Sequence, residues 1–190
     1  MLLALCGPTC IGKTYAKEAI LRHRPEIKEL RWYTTKPLDP DERVGRHLTE
    51  EQFQRNMMSG ELVLIEDRDD GYSYAFSKRD ITRNDLLFVT ELSPGMIFEL
   101  REINPRIKAI SLVTEPNSSG LRILGERLKR RRLSDHEIDQ ELAYAAEEIQ
   151  LARERYDSFD VSVIVSENNE DVFLTTILSL ANTLTPTPAL

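Results

Sequence analysis

Gly7-Pro8-Thr9-Cys10-Ile11-Gly12-Lys13-Thr14 fits the pattern G-x-x-x-x-G-K-[ST] at every fixed position. Residue types in this spacing suit one chemistry. Glycines let backbone N–H groups turn inward around phosphate oxygens, and a following helix N-terminus adds its positive end. Lys13 is then placed to reach the β- and γ-phosphates of a nucleoside triphosphate, and the Thr14 hydroxyl to hold Mg²⁺. A plain strand-to-helix turn would also use the glycines, but Lys-Thr after the second glycine serves no turn geometry. Gly7, Pro8, Thr9, Cys10, Ile11, Gly12, Lys13 and Thr14 are therefore the expected nucleotide-binding residues, with ATP and Mg²⁺ as cofactors and Thr14 as the metal ligand.

The elements around the loop are those it needs. Met1 to Cys6 is a short apolar run of the length of a buried strand, and Tyr15 to Arg24 can follow as a helix. Further along, Thr49-Glu50-Glu51-Gln52 is a capping box opening a short helix to Met58, ended by Ser59-Gly60. Leu62 to Glu66 and Tyr72 to Phe76 read as two strands of a hairpin about Asp69-Asp70-Gly71. Lys36 to His47, rich in Pro and Asp, reads as a loop, and Lys78 to Asn84 as a helical turn. Leu86 to Thr90 and Ile107 to Val113 are core strands, with a helix over Met96 to Ile103 between them. Asn117 to Arg132 reads as a helix with a basic end. Ser134-Asp135-His136-Glu137 is a second capping box, opening a long helix to about Tyr156 with Ile138, Leu142, Ala145, Ile149 and Ala152 on one face. Val161 to Val165 is the last strand and Asp171 to Asn182 the last helix. Four strands with helical connections predict an α/β fold built on an open parallel sheet, and the stretch from about 30 to 80 reads as an inserted lobe.

Composition narrows the function classes. The chain has 190 residues, 41% hydrophobic and 30% charged, as ordinary globular proteins do. A net charge of −7 argues against a nucleic-acid-binding face. Cys6 and Cys10 are expected as free thiols in a reducing, cytoplasmic setting, since a disulfide would distort the phosphate loop. No run approaches the roughly 18 apolar residues of a membrane span. Leu3 to Cys6 resembles a lipoprotein box but lacks the preceding basic and apolar segments of a signal peptide.

Together these markers resemble the guanylate kinase family of P-loop nucleoside-monophosphate kinases over nearly the whole chain. The phosphate loop is the first marker. Tyr33-Thr34-Thr35-Lys36 with Glu42 and Gly45 is similar to the family's Thr-Thr-Arg…Gly-Glu…Gly segment. Gly60-Glu61-Leu62 with Glu66, then Gly71-Tyr72-Ser73-Tyr74, is similar to the acceptor-binding hairpin. Arg127-Leu128-Lys129-Arg130-Arg131 with Asp135 and Ile138 is similar to the lid, and Tyr156 to Val165 to the family's last strand. The resemblance implies a core (1–30, 84–125 and 157–182), an acceptor-binding lobe (about 31–83), a lid (about 126–156) and a loose tail (183–190). It further implies Lys13, Arg127 and Arg131 as catalytic residues, and Thr34, Lys36, Arg43, Glu66, Tyr74 and Glu91 on the substrate side. The implied partner is a small phosphorylated acceptor, GMP first, with no nucleic acid or membrane involved.

The chain departs from the family in the acceptor half. Lys36 stands where the first of two phosphate-gripping arginines is expected and Asp39 at the second, so the bidentate fork is lost unless Arg43 or Arg46 moves in. The tyrosine after the second glycine has no match nearer than His47 or Leu48, and a lid arginine falls at Glu141; the aspartate after the central strand has no exact counterpart, Glu91 being closest and able to take a metal-side role. Plainer readings stand beside these: the 127–132 basic run as a solvated helix end, Tyr72 and Tyr74 as hairpin packing, Glu66 as a surface carboxylate, and Asp67, Asp69 and Asp70 as turn formers. His23, His47 and His136 are scattered and suggest no metal site. The alternatives to a GMP kinase are a kinase for another acceptor, such as ribose 1,5-bisphosphate, and a non-catalytic binding module.

Overall fold

In a computed structural model of the chain, the described residues are 1–38, 45–67, 71–115, 118–131, 133–166 and 169–185. Strand β1 (Leu2–Cys6) is buried at every residue, as its unbroken apolar run requires. It lies at the centre of a five-stranded sheet ordered β2 (Ile27–Glu29), β7 (Leu87–Leu92), β1, β8 (Lys108–Thr114), β9 (Val161–Val165), with every pair parallel. Ala4 pairs with Thr90 of β7 on one side and Ala109 of β8 on the other. Helices α1 (Lys13–His23), α4 (Met96–Ile103), α5 (Ser118–Lys129), α6 (Asp135–Glu154) and α7 (Glu170–Leu184) flank the sheet. One apolar cluster joins Leu3, Leu5, Ile110 and Leu112 to Ile20, Ile149 and Ile177. A second joins Leu2, Ala4 and Ala109 to Ile97, Leu100 and Phe76. Parallel sheets need both faces covered, and these two clusters are the two covers.

The inserted lobe is a separate four-stranded sheet ordered β4 (Gly45–His47), β3 (Trp32–Thr34), β6 (Ser73–Ser77), β5 (Leu62–Asp67), with α2 (Glu50–Met58) and α3 (Lys78–Thr82) alongside. β5 and β6 form the expected antiparallel hairpin. A bulge between Val63 and Glu66, where the buried Leu64 adopts φ 54, sets Glu66 opposite Tyr74. A non-glycine residue in that region costs about 1–3 kcal/mol, offset by the core around it.

Several expectations are corrected. The parallel sheet has five strands, because Ile27–Glu29 adds an edge strand too short to show periodicity. The segment read as a loop to His47 ends in β4, which pairs parallel with β3. The long helix ends at Glu154, before a 3-10 turn over Tyr156–Ser158, and the helical turn at Lys78 ends at Thr82. The last helix runs to Leu184, into the expected tail, and Thr185 beyond it is buried with its hydroxyl donating to the Ala181 carbonyl at 2.6 Å. α5 runs unbroken across the expected core–lid boundary at 125/126. Asp39, Glu42, Arg43, Asp69, Asp70 and Arg132 lie outside the described residues.

Both capping boxes form. Ser134 Oγ accepts from the Glu137 N–H at 3.3 Å, and the Glu137 carboxylate accepts from the Ser134 N–H at 2.7 Å. Hydrogen bonds from Ser134 hold the Glu137 carboxyl below its usual range. Ser134→Ala should therefore destabilise the protein by about 1 kcal/mol, read as a lower urea midpoint with unchanged slope; an unchanged midpoint would show that the cap adds nothing to α6.

Candidate active site

The phosphate loop leaves β1 by turning hard over β8. Gly7 has φ 152, and a Cβ there would lie 2.4 Å from the Leu112 carbonyl oxygen, so only glycine fits. Cys10 takes a left-handed φ of 56 and Gly12, capping α1, a φ of 114.

Three cations surround that loop. Lys13 Nζ donates to the Gly7 and Pro8 carbonyls at 2.5 and 2.9 Å. Burial depresses its pKa against the pull of Glu148 and Glu91. Arg127, in the last turn of α5, donates through one guanidinium nitrogen to the Cys10 and Ile11 carbonyls at 3.1 and 2.9 Å. Arg131 joins Lys13, Thr14 and Arg127 around a pocket of about 400 Å³. A smaller pocket of about 270 Å³ continues outward between Tyr15, Arg127, Arg130, Asn169 and Phe173. An apolar ring, a hydrogen-bonding amide and two guanidinium groups there suit a flat heterocycle beside the phosphate pocket.

Thr14, the expected metal ligand, is paired with Glu91. The Thr14 hydroxyl donates to Glu91 Oε2 at 2.9 Å, and both residues line the phosphate pocket. A hydroxyl and a carboxylate are hard oxygen donors of the kind Mg²⁺ takes, with phosphate and water oxygens completing its shell. Among the described residues no group of three or more His, Cys, Asp or Glu side chains could hold a metal by itself, so the residues fit a nucleotide-borne Mg²⁺ and not a protein-caged ion.

On the other side of Lys13 a larger cleft of about 960 Å³ opens between the core, the lobe and α6. Thr34, Lys36, Glu66, Tyr74 and Glu91, five of the six residues expected on the substrate side, line it. Trp32 stacks on Phe76 at 3.9 Å between ring centroids and meets Tyr74 edge-on at 6.4 Å, which fixes the tyrosine at the cleft wall. Thr34 is nearly buried, its hydroxyl accepting from the Lys36 N–H at 3.0 Å. The Lys36 carbonyl lies 3.0 Å from His47 Nδ1, so β4 braces the Lys36 turn.

Arg46 does not take the place of a second phosphate-gripping arginine. Its guanidinium donates to the Tyr33 hydroxyl at 2.7 Å, lies 5.4 Å from the Tyr33 ring centroid and approaches Asp80 at 3.8 Å, all outside the cleft. Among the described residues no arginine lines the cleft, which instead carries Glu29, Glu66, Glu91, Glu141, Glu147 and Glu148 against Lys13, Lys17 and Lys36. Burial pushes the Glu148 carboxyl above its usual range, although Lys13 and the Thr9 N–H favour its charge.

Sequence reasoning missed Lys17, Glu29, Tyr144 and Glu148. Three of them had a signal: Lys17 lies four residues after Lys13, and Tyr144 and Glu148 follow Glu141 by three and seven, each set on one helix face. Glu29 had none, sitting on the short strand that was itself missed.

Known proteins agree with this architecture at the level of fold. No sequence-family model and no curated protein matches the chain. Among solved structures it is similar to the guanylate kinase from Anaplasma phagocytophilum, with a TM-score of 0.62 and 18% identity over 97% of this chain and 84% of that one. The chain thus has the α/β P-loop NTPase fold of a guanylate kinase, a five-stranded parallel sheet flanked by helices. No described helix is long and apolar enough to cross a membrane.

The two thiols differ in a way that reports on the loop. Both are free; Cys6 is buried, and burial pushes its pKa up to about 12, while Cys10 is half-buried in the loop. Thiolate is the reactive form. Iodoacetamide at pH 8 should therefore alkylate Cys10 and spare Cys6, and MgATP should slow the labelling. Mass spectrometry showing equal labelling of both, or no protection, would contradict this assignment of the loop.

Proposed function

We propose that the chain transfers a phosphoryl group from ATP, with Mg²⁺, to a small phosphorylated acceptor, GMP being the first candidate. The observation that carries this reading is that the phosphate pocket and the large cleft meet: Thr9, Lys13 and Glu91 line both. A donor phosphate on the loop would face an acceptor in the cleft with Lys13 between them. The loop amides and Lys13 would hold the donor phosphates, and Arg127 and Arg131 would neutralise charge on the transferring group, since positioning and charge neutralisation supply most of the catalysis in this reaction. Bound Mg²⁺ would supply further charge neutralisation at the phosphate oxygens. Lys36, Tyr74 and Thr34 would hold the acceptor phosphate, and Glu66 would accept hydrogen bonds from guanine N1–H and its exocyclic amine. Two free thiols and the acidic balance of the chain suit a cytoplasmic enzyme with no nucleic-acid partner.

Two substitutions test the donor side. Lys13→Ala should weaken binding of a labelled MgATP analogue at least about tenfold, the loss of a charge-assisted contact of roughly 1.4 kcal/mol or more; equal affinity would sink the P-loop reading. Arg131→Ala should lower kcat more than it raises KM for ATP, because a charge that develops only in the transition state is what it would meet. A rise in KM at constant kcat would make Arg131 a ground-state contact.

A second reading concerns the acceptor alone. A cleft whose cations are outnumbered by carboxylates disfavours a phosphate dianion and favours an acceptor bearing fewer negative charges and more hydrogen-bond donors. A coupled assay across nucleoside monophosphates, sugar phosphates and uncharged polyols separates the two. If GMP is the acceptor, Glu141→Arg should lower its KM by up to about tenfold, one favourable charge replacing one unfavourable one. Turnover of a polyol and none of GMP, in wild type and variant alike, would select the second reading.

A further inference from the structure

Lys17 is only 8% exposed, yet it carries an ammonium group into the wall shared by the cleft and the loop. Its Nζ donates to Glu29 Oε1 at 2.5 Å and lies 2.7 Å from Glu91 Oε1. The other oxygen of Glu91, Oε2, accepts the Thr14 hydroxyl proton at 2.9 Å. Glu91 is thus held at both oxygens, by a cation on one side and the loop threonine on the other. A hydroxyl has a single proton to give. With that proton committed to Glu91, Thr14 can offer only lone pairs to any other partner, which is what a hard cation requires.

We propose that Lys17 is a positioning residue for the divalent cation: through Glu91 it sets the hydroxyl of Thr14 as an oxygen ligand before any nucleotide arrives. This rests on the phosphoryl-transfer reading above. The physical case is the arrangement that results without the lysine. Glu29 and Glu91 would face each other as two carboxylates with no shared cation, and such a pair either takes up a proton or moves apart. In either case Glu91 becomes a weaker or displaced acceptor for the Thr14 proton. Burial works against the Lys17 charge, and its bonds to Glu29 and Glu91 offset that cost. A plain structural role, tying α1 to the ends of β2 and β7, would make the same contacts but would leave the metal dependence of nucleotide binding untouched.

The experiment titrates a fluorescent ATP analogue into wild type, Lys17→Met and Lys17→Arg, in EDTA and across a Mg²⁺ series. Wild type should bind more tightly as Mg²⁺ is added. Lys17→Met should match wild type within about twofold in EDTA and lose about tenfold of the Mg²⁺-dependent tightening, the effect expected of a residue that orients a metal ligand. Lys17→Arg should restore most of that loss, having the charge and the reach. If circular dichroism shows Lys17→Met unfolded, Lys17→Met with Glu29→Gln removes the second carboxylate and should show the same selective loss. Wild-type Mg²⁺ dependence in a folded Lys17→Met protein would overturn the inference alone, and equal weakening with and without Mg²⁺ would assign Lys17 a structural role and overturn it too. A wild type that binds no MgATP would overturn the phosphoryl-transfer reading, and this inference with it.

Discussion

The site depends on one close approach. Between Gly7 and Leu112 there is no room for a side chain: a Cβ on Gly7 would sit 2.4 Å from a backbone oxygen of the neighbouring strand. That contact lets the chain leave β1 and fold back over the carboxyl end of the sheet, where ligands of open α/β folds bind. The left-handed turns at Cys10 and Gly12 then complete the loop and aim the start of α1 into it. Lys13 reaches back to the carbonyls at the loop's start and Arg127 to those at its end. Four loop carbonyls, those of Gly7, Pro8, Cys10 and Ile11, are thus neutralised by cations.

Charge is distributed unevenly across Lys13. Toward the loop lie Arg127, Arg130 and Arg131; toward the cleft lie carboxylates from β2, β5, β7 and α6, with Lys17 already paired to two of them. A buried ion pair is weak evidence for stability, because desolvation consumes most of its Coulomb gain. Lys17 is better understood by what it prevents, two carboxylates meeting unshielded beside the phosphate loop. The same logic explains why Arg46 contributes nothing inside the cleft. Its partners Tyr33 and Asp80 lie on the outer side of the lobe sheet, and a guanidinium so placed cannot also point inward.

How much of this was legible in the sequence depended on the range of the interaction. The loop, both capping boxes and the β5–β6 hairpin are local patterns, and all of them form. The five markers of family resemblance carried the fold, which the architecture confirms. What escaped was short or set by pairing. Ile27–Glu29 is three residues long and exists as a strand because Leu87–Val89 lies beside it. Gly45–His47, at the end of a Pro- and Asp-rich stretch, is a strand because Trp32–Thr34 recruits it in parallel. The bulge at Leu64 has no composition signal at all, since a leucine at positive φ contradicts local preference and is imposed by the packed lobe. Lys17 was visible as a helix neighbour of Lys13, but its meaning required Glu29, and Glu29 required the missed strand.

The acceptor half shows why motif spacing and site chemistry can part. Thr34, Glu66 and Tyr74 arrive at the cleft on three strands of one small sheet, β3, β5 and β6, with Lys36 on the turn after β3, all braced by Trp32 and Phe76. Their placement is a property of the fold, held by backbone pairing such as Thr34 with Tyr74, and it survives changes in the side chains around them. Affinity for a dianion is not held that way. It is a sum of Coulomb contributions that fall slowly with distance inside a partly dry cleft. Glu141 and Glu148 on the facing helix would therefore weigh on a phosphorylated acceptor as directly as Lys36 would. A lobe that keeps its geometry while its charge balance shifts is a scaffold on which the acceptor can change and the donor site stay the same.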